Sequence, residues 1–205
     1  MPKAQAEVIK AEGNKFFKNG EYANAIEKYN AASAIDPTVP AYHSNAAACW
    51  EKLAKYEEMA ESARACISAD KTFVKGYFRL ATAQKGLDDL TGCIKTLESG
   101  LGLSSSNPDL KRMKKEITEL QRGEQVSNYC RKAEEQMQTG DIPGAFKTLE
   151  LASRLDAGNP DIERMMSKVG PKFKALEARR KSGLSSTEAH KERGDEAYKV
   201  SDQFL

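Results

Sequence analysis

Apolar and small residues recur along the first half of the chain at helical spacing, and the pattern repeats every 34 residues. With residue 6 as position 1, the first window has Gly13 at position 8, Gly20 at 15, Tyr22 at 17, Ala25 at 20, Tyr29 at 24, Ala32 at 27 and Pro37 at 32. The second window starts at Pro40 and has Ala47 at 8, Trp50 at 11, Leu53 at 14, Tyr56 at 17 and Cys66 at 27. The third starts at Val74, with Ala81 at 8, Leu87 at 14, Leu90 at 17, Cys93 at 20, Leu97 at 24 and Gly100 at 27. Two helices per window account for this. Small residues sit where the helices cross closely, and bulky ones fill the grooves between neighbours. Asn19-Gly20 and Asp36-Pro37 supply the breaks.

A terminal repeat cannot cover its own apolar face, so a capping helix is expected next. Pro108 is placed to open it. Leu110, Met113, Ile117 and Leu120 form one seam, with Lys111, Arg112, Lys114, Lys115, Glu116 and Glu119 on the solvated faces. A window from Val126 then gives a fourth hairpin, with Ala133 at 8, Gly140 at 15, Ala145 at 20, Leu149 at 24 and Ala152 at 27. Asn159-Pro160 opens another helix, and Gly170-Pro171 is expected to break it early. Residues 171–182 read as a charged helix and 183–186 as a linker. Residues 187–205 restart the pattern: Lys191-Glu-Arg-Gly194-Asp195 mirrors Lys10-Ala-Glu-Gly13-Asn14. Because the pattern stops mid-repeat, the chain is expected to be a fragment of a longer protein.

This register resembles the tetratricopeptide repeat (TPR). The resemblance implies an all-α fold, a solenoid of antiparallel helix pairs with a capping helix. The expected division is 5–122 as a three-repeat domain with its cap, 124–182 as a degenerate TPR-like hairpin or spacer, and 187–205 as the truncated first helix of a further array.

Composition narrows the function classes. The 205 residues carry 32 Lys+Arg and 30 Asp+Glu, a net charge of +2. Neither half is polarised: 13 basic and 13 acidic residues up to 104, then 19 and 17. That argues against nucleic acid as partner, which needs a basic excess. No signal core or apolar run of membrane-spanning length occurs, so a membrane role is excluded and a cytoplasmic location expected. Cys49, Cys66, Cys93 and Cys130 form no CxxC pair and read as reduced, structural thiols. Trp50 reads as core. His43 and His190 lie in different segments, with no nucleophile–base or phosphate-loop motif. No catalytic residue, metal site or cofactor is predicted.

In a TPR array the first helix of each repeat lines the concave face. Five polar residues fall there: Lys10 and Asn14 at positions 5 and 9 of the first repeat, Asn45 at 6 of the second, Lys75 and Arg79 at 2 and 6 of the third. Lys10 and Asn14 are i and i+4 on one face, as are Lys75 and Arg79. Such a strip lacks a partner inside the protein unless nearby acids neutralise it. Three cations and two amides suit a ligand with two close carboxylates, such as a C-terminal Asp.

The five residues match the carboxylate clamp of co-chaperone TPR domains at every position. The surrounding runs KAEGNKFFKNGEY, AYHSNAAACW and VKGYFRLATA are similar to the same Hop-like family. The resemblance implies binding of the Glu-Glu-Val-Asp C-terminal tails of 70-kDa and 90-kDa heat-shock chaperones. Lys10, Asn14 and Asn45 would hold the terminal carboxylate, and Lys75 and Arg79 the Asp side chain and adjacent peptide groups. Phe17, Ala48 and Phe78 either line side-chain pockets or serve as inter-helix packing. Ala46 stands where the family often has Arg. Cys130 and Glu134 replace Lys and Asn in the fourth hairpin, and Asp195 replaces Asn14 in the restart, so neither should clamp a carboxylate. The expected role is a binding adaptor rather than an enzyme. The alternatives are a TPR targeting arm of an enzyme or J-domain protein continuing past residue 205, and a TPR scaffold for another ligand.

Overall fold

A computed structural model describes residues 2–183, and the expected restart at 187–205 lies outside them. The described residues form nine helices: α1 (Pro2–Lys18), α2 (Tyr22–Ile35), α3 (Pro40–Lys52), α4 (Tyr56–Ala69), α5 (Val74–Gly86), α6 (Leu90–Leu103), α7 (Pro108–Gln138), α8 (Ile142–Leu155) and α9 (Pro160–Gly183). The fold is all-helical and pairwise, as the 34-residue register predicts. α1 packs on α2, α3 on α4 and α5 on α6; α2 then packs on α3, and α4 on α5. α3 also meets α5, bringing first helices of adjacent repeats together.

The small residues sit at close crossings. A Cβ on Gly13 would come within 2.9 Å of the Tyr29 ring, and one on Gly100 within 3.0 Å of Leu110 and Tyr77. Ala25, Ala47, Ala81, Cys66 and Cys93 are fully buried at the equivalent register positions. Trp50 is partly buried, packed against two neighbouring core clusters. Its ring lies 5.5 Å from the Lys55 ammonium.

The turns repeat with the helices. Position 15 of all four hairpins has positive φ: 81° at Gly20, 53° at Ala54, 60° at Asp88 and 81° at Gly140. At position 31, Asp36 accepts hydrogen bonds from the Thr38 amide and hydroxyl, and Asp70 does the same with Thr72. Asn107 and Asn159 accept from the first amides of α7 and α9, capping those helices.

Two compact units divide between Gln121 and Arg122. In the first, Leu110 and Ile117 of α7 are fully buried and cover the cluster of Ala81, Leu90, Cys93 and Leu97. In the second, Ala133, Ala145, Leu149, Met165 and Val169 form the main core.

Three expectations need correction. Leu120 is not part of the covering seam, being 48% exposed. Gln121, the next residue, already bonds Thr91 at the start of α6, so little of α6 remains beyond Ile117 to cover Leu120. The capping helix and the opening helix of the fourth hairpin are one uninterrupted α7. No proline interrupts 109–138, and Gly123 alone costs only about 1 kcal/mol in a helix. Finally, Pro171 does not end α9 but lies inside it. It removes one donor from the ladder. Beyond it, Phe173 stacks on Phe146 of α8 at 4.2 Å and 5°, an apolar anchor that keeps the chain helical.

Candidate functional site

The five candidate residues lie on α1, α3 and α5, the first helices of three successive repeats. Each has a distinct local setting. Tyr29 of α2 is 2% exposed, and its hydroxyl donates to Asn14 Oδ1 at 2.8 Å. Burial pushes its pKa up to about 12, so the proton stays on. The Asn14 oxygen is thereby occupied, while its amide nitrogen has no partner among the described residues and is presented as a donor.

Lys10, one turn earlier, pairs with Glu7. Glu7 also accepts from the Tyr42 hydroxyl of α3 at 2.8 Å, and Tyr42 is 1% exposed. The Lys10 bond first, then the Tyr42 bond, hold the Glu7 carboxyl below the usual carboxylate range. Asn45 is half-buried on α3, between the buried Ser44 and Ala46, and its side chain has no partner among the described residues.

On α5, Arg79 donates through Nη1 to Glu51 of α3. Lys75, one turn before it, is exposed and has no ion-pair or hydrogen-bond partner among the described residues. The strip is therefore partly neutralised from within, by Glu7 and Glu51. The Glu7–Lys10 pair is visible in the sequence at i and i+3. Glu51 and Arg79 are 28 residues apart, and only the α3–α5 contact joins them.

The second unit has its own cavity on the first helix of its hairpin. A cavity of about 390 Å³ there is lined by Cys130, Arg131 and Glu134 of α7 with Asp161, Arg164 and Met165 of α9. In the frame these are positions 5, 6 and 9 of one repeat and 2, 5 and 6 of the next. Lys10 and Asn14 hold 5 and 9 in the first repeat, and Asn45 holds 6 in the second.

Phe17 and Phe78 are partly buried and pack into the interior. Phe17 meets Tyr22 edge to face at 5.5 Å, beside the cluster of Ala25, Ile26 and Tyr29. Phe78 packs on the Ala81–Leu97 cluster. Ala48 is 9% exposed.

Burial pushes the thiols of Cys49, Cys66 and Cys93 up to about 11. His43 bonds Ser33 Oγ at 3.0 Å, and burial lowers its pKa. Among the described residues no group of three or more His, Cys, Asp or Glu is placed to hold a metal, and no helix is long and apolar enough to cross a membrane.

Residues 13–53 match a TPR repeat family model. The chain is 34% identical over 116 residues to Hsp70-Hsp90 organizing protein 2 of Arabidopsis thaliana, covering 55% of this chain and 20% of that protein. It is 30% identical over 141 residues to small glutamine-rich tetratricopeptide repeat-containing protein 2 of Saccharomyces cerevisiae, covering 68% and 40%. Its matches thus span under half of these two relatives. Among solved structures, the second TPR domain of human RPAP3 in complex with HSP70 peptide SGPTIEEVD is 31% identical with a TM-score of 0.55, covering 58% of this chain and 98% of that one. The first TPR of Spaghetti (RPAP3) bound to HSP90 peptide SRMEEVD is 27% identical with a TM-score of 0.55, covering 58% and 96%. Pairwise helices, shared register and these matches agree: the chain is a TPR-domain protein related to the Hsp70–Hsp90 organising and small glutamine-rich co-chaperones.

Proposed function

We propose that residues 5–122 form a co-chaperone module that clamps the C-terminal Glu-Glu-Val-Asp tail of 70-kDa or 90-kDa heat-shock chaperones. Lys10, Asn14 and Asn45 hold the terminal carboxylate; Lys75 and Arg79 hold the Asp side chain and adjacent peptide groups. Phe17 and Phe78, packed on the core, border the upstream residues only with their partly exposed edges, beside Ala48. The module binds and performs no chemistry, it works in the cytoplasm, and 124–182 serves as a spacer.

The observation that carries this reading is the five-residue match in repeat register on α1, α3 and α5. Related TPR domains of the same fold hold peptides ending in EEVD, which fits. Asn14, with its oxygen engaged by Tyr29 and its amide nitrogen unpartnered among the described residues, suits a carboxylate. So does Lys75, exposed and unpaired among the described residues. Affinity is modest, because a short flexible peptide must be ordered on binding.

The test is calorimetric titration with a Met-Glu-Glu-Val-Asp peptide as free acid and as C-terminal amide. The free acid binds and the amide does not. Lys75→Ala abolishes binding and leaves thermal unfolding unchanged, because Lys75 is exposed and has no ion-pair or hydrogen-bond partner among the described residues. Equal affinity for acid and amide, or unchanged affinity in Lys75→Ala, refutes the clamp.

A further inference from the structure

Two of the three groove cations are already engaged by acids of the chain itself. Glu7 holds Lys10, and Glu51 holds Arg79. Neither acid is loosely placed. Glu7 is fixed by the hydroxyl of the buried Tyr42, contributed by the next repeat. Glu51 reaches Arg79 across the α3–α5 contact. Yet both pairs stay open to solvent: the Arg79 and Glu51 side chains are 26% and 36% exposed, and those of Lys10 and Glu7 are 26% and 52% exposed. A ligand reaches them without opening the core.

Resting on the clamp reading above, we infer that Glu7 and Glu51 are built-in competitors of the ligand, so that peptide binding is an exchange of one carboxylate for another. Three cations and two acids leave the strip with a single excess positive charge. A carboxylate arriving at Arg79 either displaces Glu51 or shares the guanidinium with it at the cost of like-charge repulsion. The same holds for Lys10 and Glu7. Lys75, unpaired among the described residues, is the cation that an incoming acid engages without displacing anything. The internal acids therefore lower affinity, and they do so least for ligands that bring several carboxylates at once.

The test uses the full 205-residue chain, titrated with the free-acid Met-Glu-Glu-Val-Asp peptide. Glu51→Gln and Glu7→Gln remove charge but keep side-chain size, and the Glu7→Gln variant retains an amide oxygen to accept from Tyr42. Glu119→Gln, an exposed acid of α7, controls for net charge. Each groove variant binds about three- to fivefold tighter than the parent chain, the worth of one part-exposed ion pair. The control is unchanged. Binding by Glu51→Gln where the parent shows none also supports the exchange. A parent chain that binds, with both groove variants equal to it or weaker, overturns the exchange and leaves the clamp standing. Absence of binding by every protein overturns the clamp and the exchange with it.

Discussion

Tyr29 links the core to the groove. Its ring fills the space left by Gly13, and its hydroxyl fixes which end of the Asn14 amide faces outward. Removing only the hydroxyl separates those roles. Tyr29→Phe keeps the packing and is expected to cost about 1 kcal/mol of stability, the usual worth of one part-buried hydrogen bond. It also frees the Asn14 amide to turn, so affinity for an EEVD peptide falls by a few-fold. Denaturant unfolding and calorimetry measure the two effects; an unchanged affinity would mean that Asn14 needs no orienting. Spacing puts Lys10, Asn14, Asn45, Lys75 and Arg79 on the first helices of three repeats, and the structure has them on α1, α3 and α5. Their internal partners were legible only in part. Glu7 is local to Lys10, whereas Tyr29, Tyr42 and Glu51 reach the strip through tertiary contacts that no local pattern encodes.

At the scale of elements, the frame placed every hairpin but misjudged where helices stop. Gly-Pro at 170–171 reads as a break, because proline removes a ladder donor, yet the Phe146–Phe173 stack carries α9 past it. The expected division at 122–124 falls within α7, because a lone glycine does not stop a helix. Gly13 and Gly123 therefore answer oppositely to the same substitution. Gly123 is exposed in α7, and a Cβ there meets nothing within 4 Å. Gly123→Ala is expected to stabilise by roughly 0.5–1 kcal/mol through helix propensity. Gly13→Ala forces a methyl against the Tyr29 ring and is expected to destabilise by about 1–3 kcal/mol. Thermal unfolding of the two variants checks both signs.

For the molecule as a whole, the net charge of +2 says little about stability. The ion pairs on its surface are largely solvated, such as Lys115–Glu119 at 4.0 Å and Arg112–Asp109 at 2.9 Å, and such pairs contribute little. The cores consist of alanine, leucine, isoleucine, valine, methionine, cysteine and buried tyrosine, which salt does not weaken. Binding and folding should thus separate in a salt series. Raising NaCl from about 50 to about 500 mM is expected to weaken EEVD-peptide affinity roughly tenfold, as the screening length shrinks below the reach of the groove charges. The unfolding temperature should move by less than about 2 °C. Parallel calorimetry and melting curves decide it, and a melting point that follows affinity down would contradict the separation.

The turn at position 15 carries a consequence for engineering. All four hairpins reverse through a left-handed residue, but only two have glycine there. Ala54 and Asp88 adopt the same backbone with a side chain that disfavours it, by about 1 kcal/mol for a residue without a local hydrogen bond to offset the strain. The chain therefore holds unused thermal tolerance at a turn that carries none of the five proposed clamp residues. Ala54→Gly is expected to raise the melting temperature by a few degrees with peptide affinity unchanged. Lower stability in that variant would mean that glycine's extra freedom in the unfolded chain outweighs the relief of strain.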